Sequence, residues 1–332
     1  MQTTLTKVTP FEPFCGQHCE TTTTGTLLKQ LDINLSEPML FGLGEGLGFI
    51  YWKMKFMDFP FIGGRVKPML LTENLARNLN LELDVRETSS LKKAWFNVAT
   101  CIDANKVAGL QLDSYHLEYF TNKIHFAGHF VAMYGYDDKD CYLVDTGQQG
   151  GTVKTSLESL AKARAEKGSM ARRNLVYLLH RNKTGFKLQS AIRTAIVNNA
   201  ATYLNPPIKN FCYKGIEKTA GEIKKWFENS ENIEHEFGTT ALLMEKAGTG
   251  GALFRNMYRD FLLESSMQLE HKILTDAHQQ FAQIAPLWTE GAALFDAAAH
   301  TSDMKHINEA SRLLRDLSAR EHAAMSLLAK LP

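Results

Sequence analysis

HFVAMYGYDDKDCYLVDTG, residues 129–147, sets two short runs rich in Val, Tyr and Leu on either side of a cluster of aspartates and one lysine. Runs of that kind bounded by turn residues read as paired β-strands. With Asp137-Asp138-Lys139 as a three-residue hairpin loop, Tyr136 faces Asp140 and, in the same register, Val131 faces Asp145. Side chains alternate faces with period two, so His129 and Asp145 then project from one face as diagonal neighbours. A two- or four-residue loop reverses that parity unless a β-bulge restores it. The shared face thus depends on an odd loop or a bulge.

Outward from this hairpin, VAGLQLDSY (107–115) and NLVYLLHRN (174–182) have the same strand texture. The segments before it are helical: TGTLLKQL, a short helix opened by Ser36-Glu37-Pro38, TENLARN ahead of the strand-like LELDVRE, and the amphipathic SSLKKAWFNVATCIDANKV. Helices first and antiparallel strands after them make an α+β pattern. From about Thr184 the strands cease and helical segments run to the end, the first two divided at Asn205-Pro206-Pro207. The expected organisation is residues 1–183 as the α+β domain and 184–332 as an all-helical domain completing the substrate site. In GLGEGLGF the glycines 42, 44, 46 and 48 alternate and no strand leads into them, which does not fit a dinucleotide-binding GxGxxG. The run reads instead as a tight loop passing close to other backbone.

At 332 residues and 44% hydrophobic content the chain can bury a large core. Its net charge of +1, from 37 basic and 36 acidic residues well mixed, leaves no electrostatic footprint for nucleic acid or an anionic membrane. No apolar run approaches the ~20 residues that span a bilayer, and MQTTLTKVTPFEPF lacks the apolar core of a signal peptide, so a cytoplasmic location is expected. Five scattered cysteines form neither a disulfide framework nor a CxxC metal knuckle and read as free thiols.

One of those thiols has a distinctive setting. HCETTTTGTLL, residues 18–28, places Cys19 ahead of four threonines and a glycine, a composition that helix propensity alone would not select. A cysteine opening a helix gains from the positive end of the dipole, and a neighbouring imidazolium favours its thiolate further. His129, oriented by Asp145, is the expected base, and the free N–H groups of the first turn, with Gln17 and His18, are candidate oxyanion donors. Cysteine in an early helix, histidine starting a strand and acid ending the next is the chain order of a Cys–His–Asp hydrolase or transferase. Cys15 is a rival nucleophile, placed lower because it lies between Pro-Phe and Gly with no helix end behind it.

Other residues carry weaker signals. Asp113, Tyr115 and His116 in LDSYHLEYF lie at a strand end and either line the site or form a polar turn. His125 precedes His129 by four, a spacing that suits a zinc pair only on a helix, and no third ligand is evident, so no metal is expected. Arg255, opening a helix after a glycine cluster, either holds an anionic group or edges a packed helix. The apolar stripes of the helical half suit self-burial or a homodimer alike.

Taken together, HCETTTTGTLLKQLDINLSEPMLFGLGEGLGFIYW, GGR at 63–65, LDSYHLEYF, GHFVAMYGYDDKDCYLVDTG and SLESLAKARAEKG resemble the N-terminal domain named for butirosin biosynthesis protein H. The helical remainder, with GTGGALFRNMYRDFLLES, resembles the domain that commonly follows it. The histidine-to-aspartate segment also resembles that of papain-like peptidases of the bacteriocin-processing type, which implies a papain-like core. The resemblance implies acyl transfer from the phosphopantetheine thioester of an acyl carrier protein to a small-molecule amine, with no cofactor held by the chain itself. It assigns Cys19 as nucleophile, His129 as general base and acid, and Asp145 as its orienting partner. Papain-like enzymes place the oxyanion glutamine several residues before the cysteine, whereas Gln17 is two away, a departure from the pattern. The alternatives are a cysteine peptidase or amidase using the same triad, and a binding module in which Cys19 is dispensable.

Overall fold

A computed structural model describes residues 5–54, 57–168 and 170–332. The described chain divides into two compact units: residues up to 40 with 68–186, and residues 41–67 with 187–332. The single cut expected at 183/184 is therefore replaced by three crossings, because an early segment packs with the later helices.

The first unit is α+β. Its seven-stranded sheet is antiparallel throughout, in the order β4 (Leu81–Arg86), β9 (Val176–Arg181), β5 (Ala108–Leu112), β6 (His129–Tyr136), β7 (Asp140–Val144), β8 (Thr152–Ser156). The two-residue β1 (Thr6–Lys7) adds to the far end of β6. Helices α1 (Cys19–Lys29), α3 (Leu70–Asn78), α4 (Leu91–Asp103) and α5 (Leu157–Ala165) belong to this unit. The central strands are buried on both faces, which is why β5 and β6 read as near-continuous apolar runs rather than clean alternation. Strands β1 and β8 were not legible, the first being two residues long and the second, TVKTS, carrying only one apolar side chain.

Helix α1 is buried on every side from Cys19 to Leu28. A helix so placed must satisfy its hydroxyls internally, and most of the threonines do. Thr21 Oγ1 donates to the Glu37 carboxylate at 2.8 Å, Thr24 Oγ1 meets Thr72 Oγ1 at 3.0 Å and the Tyr177 hydroxyl at 3.1 Å, and Thr26 Oγ1 donates to the Thr22 carbonyl at 2.8 Å. Gly25 is required by close approach: a Cβ there would lie 2.6 Å from Phe14 Cγ and 2.9 Å from Leu40 Cδ1.

The hairpin of β6 and β7 differs from the expected one in its loop and agrees in its outcome. Asp137 N donates to the Asp140 carbonyl at 2.9 Å and Tyr136 pairs with Cys141, so the loop has two residues, not three. Asp137 Oδ1 accepts from the backbone of Lys139 and Asp140, each at 2.8 Å, which fixes that tight turn. A bulge between Met133 and Gly135 then shifts the register by one, so that Ala132 pairs with Val144. Tyr134 is the extra residue, its carbonyl taken by Val8 N of the edge segment at 2.9 Å. The bulge returns Val131 to a position opposite Asp145.

The second unit holds the antiparallel hairpin β2 (Leu47–Trp52) and β3 (Phe61–Arg65) with helices α6 (Leu188–Leu204), α7 (Cys212–Glu228), α8 (Ile233–Lys246), α9 (Arg255–Leu269), α10 (Lys272–Thr301) and α11 (Met304–Leu328). The glycine-rich run is thus the end of α2 (Glu37–Leu43), a turn and the start of a strand rather than one loop. Helix α8 escaped the sequence reading, its pattern broken by Gly238 and two threonines. Among the described residues no helix is long and apolar enough to cross a membrane.

Candidate active site

Helix α1 begins at Cys19 with His18 as its N-cap in extended conformation. The helical ladder starts with Thr22 N donating to the His18 carbonyl at 2.9 Å, so the N–H groups of Cys19, Glu20 and Thr21 lie at the open end of the dipole. One carboxylate fixes this entry. Glu37 accepts from Gln17 N at 2.9 Å, from His18 N at 2.8 Å and from the Thr21 hydroxyl at 2.8 Å. Gly147 N donates to the Gly16 carbonyl at 2.9 Å, tying the loop before Cys19 to the loop after Asp145.

Strand β6 opens with His129 and β7 ends one residue before Asp145, and the bulge sets both on one face. His129 Nε2 lies 2.8 Å from Asp145 Oδ2. Asp145 takes Nε2, which leaves Nδ1 as the free ring nitrogen, and Cys19 lies close enough for its charge to act on the imidazole. Asp145 is fully buried and saturated with donors: the Tyr119 hydroxyl also reaches Oδ2 at 2.8 Å, and Thr146 N reaches Oδ1 at 2.7 Å. Phe120 stands edge-on to the His129 ring, centroids 5.3 Å apart at 87°.

The electrostatics follow from that packing. Burial alone would lower the His129 pKa, but the negative charges of Asp145 and Cys19 outweigh it and raise the imidazole to about 10. Burial, reinforced by the Asp145 charge, holds the Tyr119 hydroxyl well above its ordinary value, so it stays a neutral donor. The cluster can therefore hold a proton on His129 beside the sulfur throughout the neutral range.

Of the other candidates, His18 is buried beside the cysteine with Nδ1 3.4 Å from Thr21 Oγ1. Gln17 is exposed, and its fixed contact is its backbone N–H on Glu37. Cys15 is exposed in the preceding loop. Asp113 and Tyr115 do not join the cysteine cluster. Asp113 caps a short 3-10 turn, accepting from Tyr115 N at 2.8 Å, and Tyr115 stacks on His125 with centroids 4.0 Å apart. His125 accordingly turns away from His129 and lies with His116 and Glu166.

Arg255 is a correction. It is fully buried in the second unit, with Nε and Nη2 on the Glu321 carboxylate at 2.8 and 2.9 Å and Nη1 on the Leu253 and Gly64 carbonyls at 2.8 and 3.3 Å. Its guanidinium also lies over the Trp288 ring, 4.5 Å from the centroid. A guanidinium so committed has nothing to offer a substrate.

Glu37, Tyr119 and Phe120 were missed by sequence reasoning. Glu37 read as a helix-opening acid, and no local pattern links it to a cysteine eighteen residues earlier. Tyr119 and Phe120 did lie within LDSYHLEYF, but their roles appear only once the β5–β6 connection is folded.

Residues 18–146, the span from His18 through Asp145, match the family described as butirosin biosynthesis protein H, N-terminal, and residues 158–328 match a domain of unknown function (DUF4872). The chain belongs to that two-domain family. The first match begins one residue before the helix-opening cysteine and ends one residue after the buried aspartate, so the family's N-terminal module contains the whole cluster. The second covers α5 and β9 of the first unit as well as helices α6 to α11, so the family boundary falls inside the sheet-bearing unit. No curated protein shows significant similarity to the chain.

Proposed function

We propose that the chain is a cysteine-dependent acyltransferase of antibiotic or related specialised-metabolite biosynthesis, taking its acyl group from a carrier-protein phosphopantetheine thioester and delivering it to a small-molecule amine. The observation that carries this reading is the 2.8 Å contact of His129 with Asp145, with Cys19 at a helix N-terminus near enough to act on the imidazole, inside the segment matching the butirosin biosynthesis family.

In the first half-reaction the Cys19 thiolate attacks the thioester carbonyl. The oxyanion is received by N–H groups at the open end of α1, with Gln17 and His18 as further candidate donors. Collapse breaks the carrier's C–S bond, and the departing thiolate takes the proton from His129. In the second, His129 accepts a proton from the attacking amine, and the second tetrahedral species expels Cys19 as the thiolate, leaving an amide. Thioester exchange is close to thermoneutral and amide formation is downhill, so positioning and exclusion of water are the main demands. Asp145, saturated with donors, holds the imidazole and stabilises its charge.

The test is intact-mass measurement after incubation with acyl carrier thioesters. An acyl adduct should form on the native chain and on Cys15→Ala, be absent from Cys19→Ala, and disappear on adding an amine with release of the matching amide. Turnover of a peptide or amide substrate with no adduct from any thioester would replace this reading with an amidase. Full biological activity of Cys19→Ala would end both.

A further inference from the structure

The loop joining β5 to β6, residues 113–128, carries Tyr119 and Phe120 onto Asp145 and His129. At its base lies a group of side chains that the reaction above does not use. One atom from each of His116, His125 and Glu166 falls within 4.8 Å of the others, and these three residues come from separate segments: the 3-10 turn after β5, the approach to β6, and the residue ending α5. We propose that His116, His125 and Glu166 bind one divalent transition-metal ion with the demands of zinc, clamping the base of the loop that holds Tyr119 and Phe120.

Two histidines and one carboxylate are a three-ligand set that zinc accepts, with a fourth position for water. Bonds of about 2.0–2.1 Å in a tetrahedral site put ligand atoms about 3.3 Å apart. His116 Nε2 and Glu166 Oε2 are already 2.7 Å apart, so that pair has only to open slightly. The remaining travel falls to His125, the most exposed of the three and the freest to move.

The surroundings are those of ligands rather than of a lone ion pair. His125 Nδ1 lies 3.3 Å from Oδ2 of Asp113, which is buried and held by the backbone N–H groups of Tyr115 and Phe126 at 2.8 and 3.3 Å. A carboxylate taking one ring N–H fixes the tautomer and leaves the lone pair on the other nitrogen, here Nε2, which is the usual setting of a zinc-bound histidine. Glu166 Oε1 accepts from Lys167 N at 2.9 Å, leaving Oε2 for the site. Tyr115 contacts both rings, stacked on His125 at 4.0 Å and 10° and edge-on to His116 at 5.3 Å and 82°. An ion pair of His116 with Glu166 would explain their own contact; it would not explain a third ring brought in and oriented by a buried acid.

The experiment is calorimetric titration of zinc sulfate into the chelator-stripped full chain, paired with the visible spectrum after loading cobalt(II). Native chain and Cys19→Ala should both bind one equivalent of zinc, with a cobalt spectrum free of a sulfur charge-transfer band. His125→Gln and Glu166→Gln should each weaken binding at least tenfold, and Asp113→Asn by a similar factor through His125. Zinc should also raise the thermal midpoint of the native chain and not of His125→Gln. Because Cys19→Ala is among the binders, the result stands or falls independently of acyl transfer. No stoichiometric binding would overturn the proposal. So would binding lost in Cys19→Ala but kept in His125→Gln, which would put the ion at the thiol.

Discussion

Asp145 receives three hydrogen bonds in a fully buried position, and what surrounds it sets the charge state of His129. The imidazole pKa is about 10 in the folded chain against 6.5 for the free side chain. Below pH 6.5 both folded and unfolded chains carry the proton. Between 6.5 and 10 only the folded chain does, so stability is greatest at the low end of that window and falls as pH rises through it. Histidine side-chain NMR should show one ring titrating near pH 10, moving downward in Asp145→Asn; a midpoint near or below 7 in the native chain would contradict the ion pair. Tyr119→Phe removes one donor from a buried carboxylate, with an expected loss of about 1.5–3 kcal/mol by urea unfolding. Glu37→Gln keeps the shape but weakens the hold on the Gln17 and His18 N–H groups, and should slow acylation of Cys19 in the mass assay more than it lowers the thermal midpoint. That Cys19, His129 and Asp145 belong to one cluster was legible because each sits at a spot the local sequence marks: a helix start, a strand start, a strand end. Glu37 was not, since its role lies in contacts that span sixteen to twenty residues.

Elements tell a similar story through parity and packing. That His129 and Asp145 share a face could be reduced from sequence to a condition, an odd loop or a bulge, and the structure meets the second branch. Which branch applied turned on Tyr134, whose carbonyl is taken by Val8, just past a two-residue edge strand that no periodicity announces. Helix α1 was legible as a helix, while its complete burial was not, because four threonines in a row look solvent-compatible. Gly25→Ala tests that burial: the new methyl meets Phe14 and Leu40 and should cost about 1–3 kcal/mol in chemical denaturation, against the gain expected from alanine in an exposed helix. Arg255 failed as a substrate residue for the converse reason. Its partner Glu321 is in α11, 66 residues away, so the sequence showed a basic helix start and hid the acid that consumes it.

At the scale of the whole molecule, the chain leaves its first unit at residue 40 and returns at 68, and the hairpin made in between serves the second. Within that second unit Phe49 of β2 packs against Trp288, with centroids 5.7 Å apart, and Gly64 of β3 supplies a carbonyl to Arg255. A fragment of residues 187–332, the piece a single late cut would suggest, should therefore lack a cooperative thermal transition. Glu321 concentrates the same dependence in one side chain, since it also accepts from Trp288 Nε1 at 2.6 Å and from the Tyr203 hydroxyl. Glu321→Ala leaves a buried guanidinium unpaired, with an expected loss of about 3–5 kcal/mol in chemical denaturation. The excursion was invisible in the sequence because its strands carry and adjoin glycines that resemble a loop.

The threonine-rich α1 bears on the order of events as the protein folds. Eleven residues of low helix propensity are too few and too weak to stay helical as an isolated peptide, so this helix forms only as β6, Thr72 and Tyr177 close around it. The dipole, the N–H groups and the imidazolium beside Cys19 are then assembled together, late, by the same docking event. Nascent and partly folded chains accordingly carry an ordinary thiol, and in a Cys15→Ala background iodoacetamide labelling of Cys19 during refolding should accelerate in step with tertiary fluorescence rather than with early helical signal. The surroundings of Cys19 are thus acquired as the chain matures rather than inherited from its local sequence.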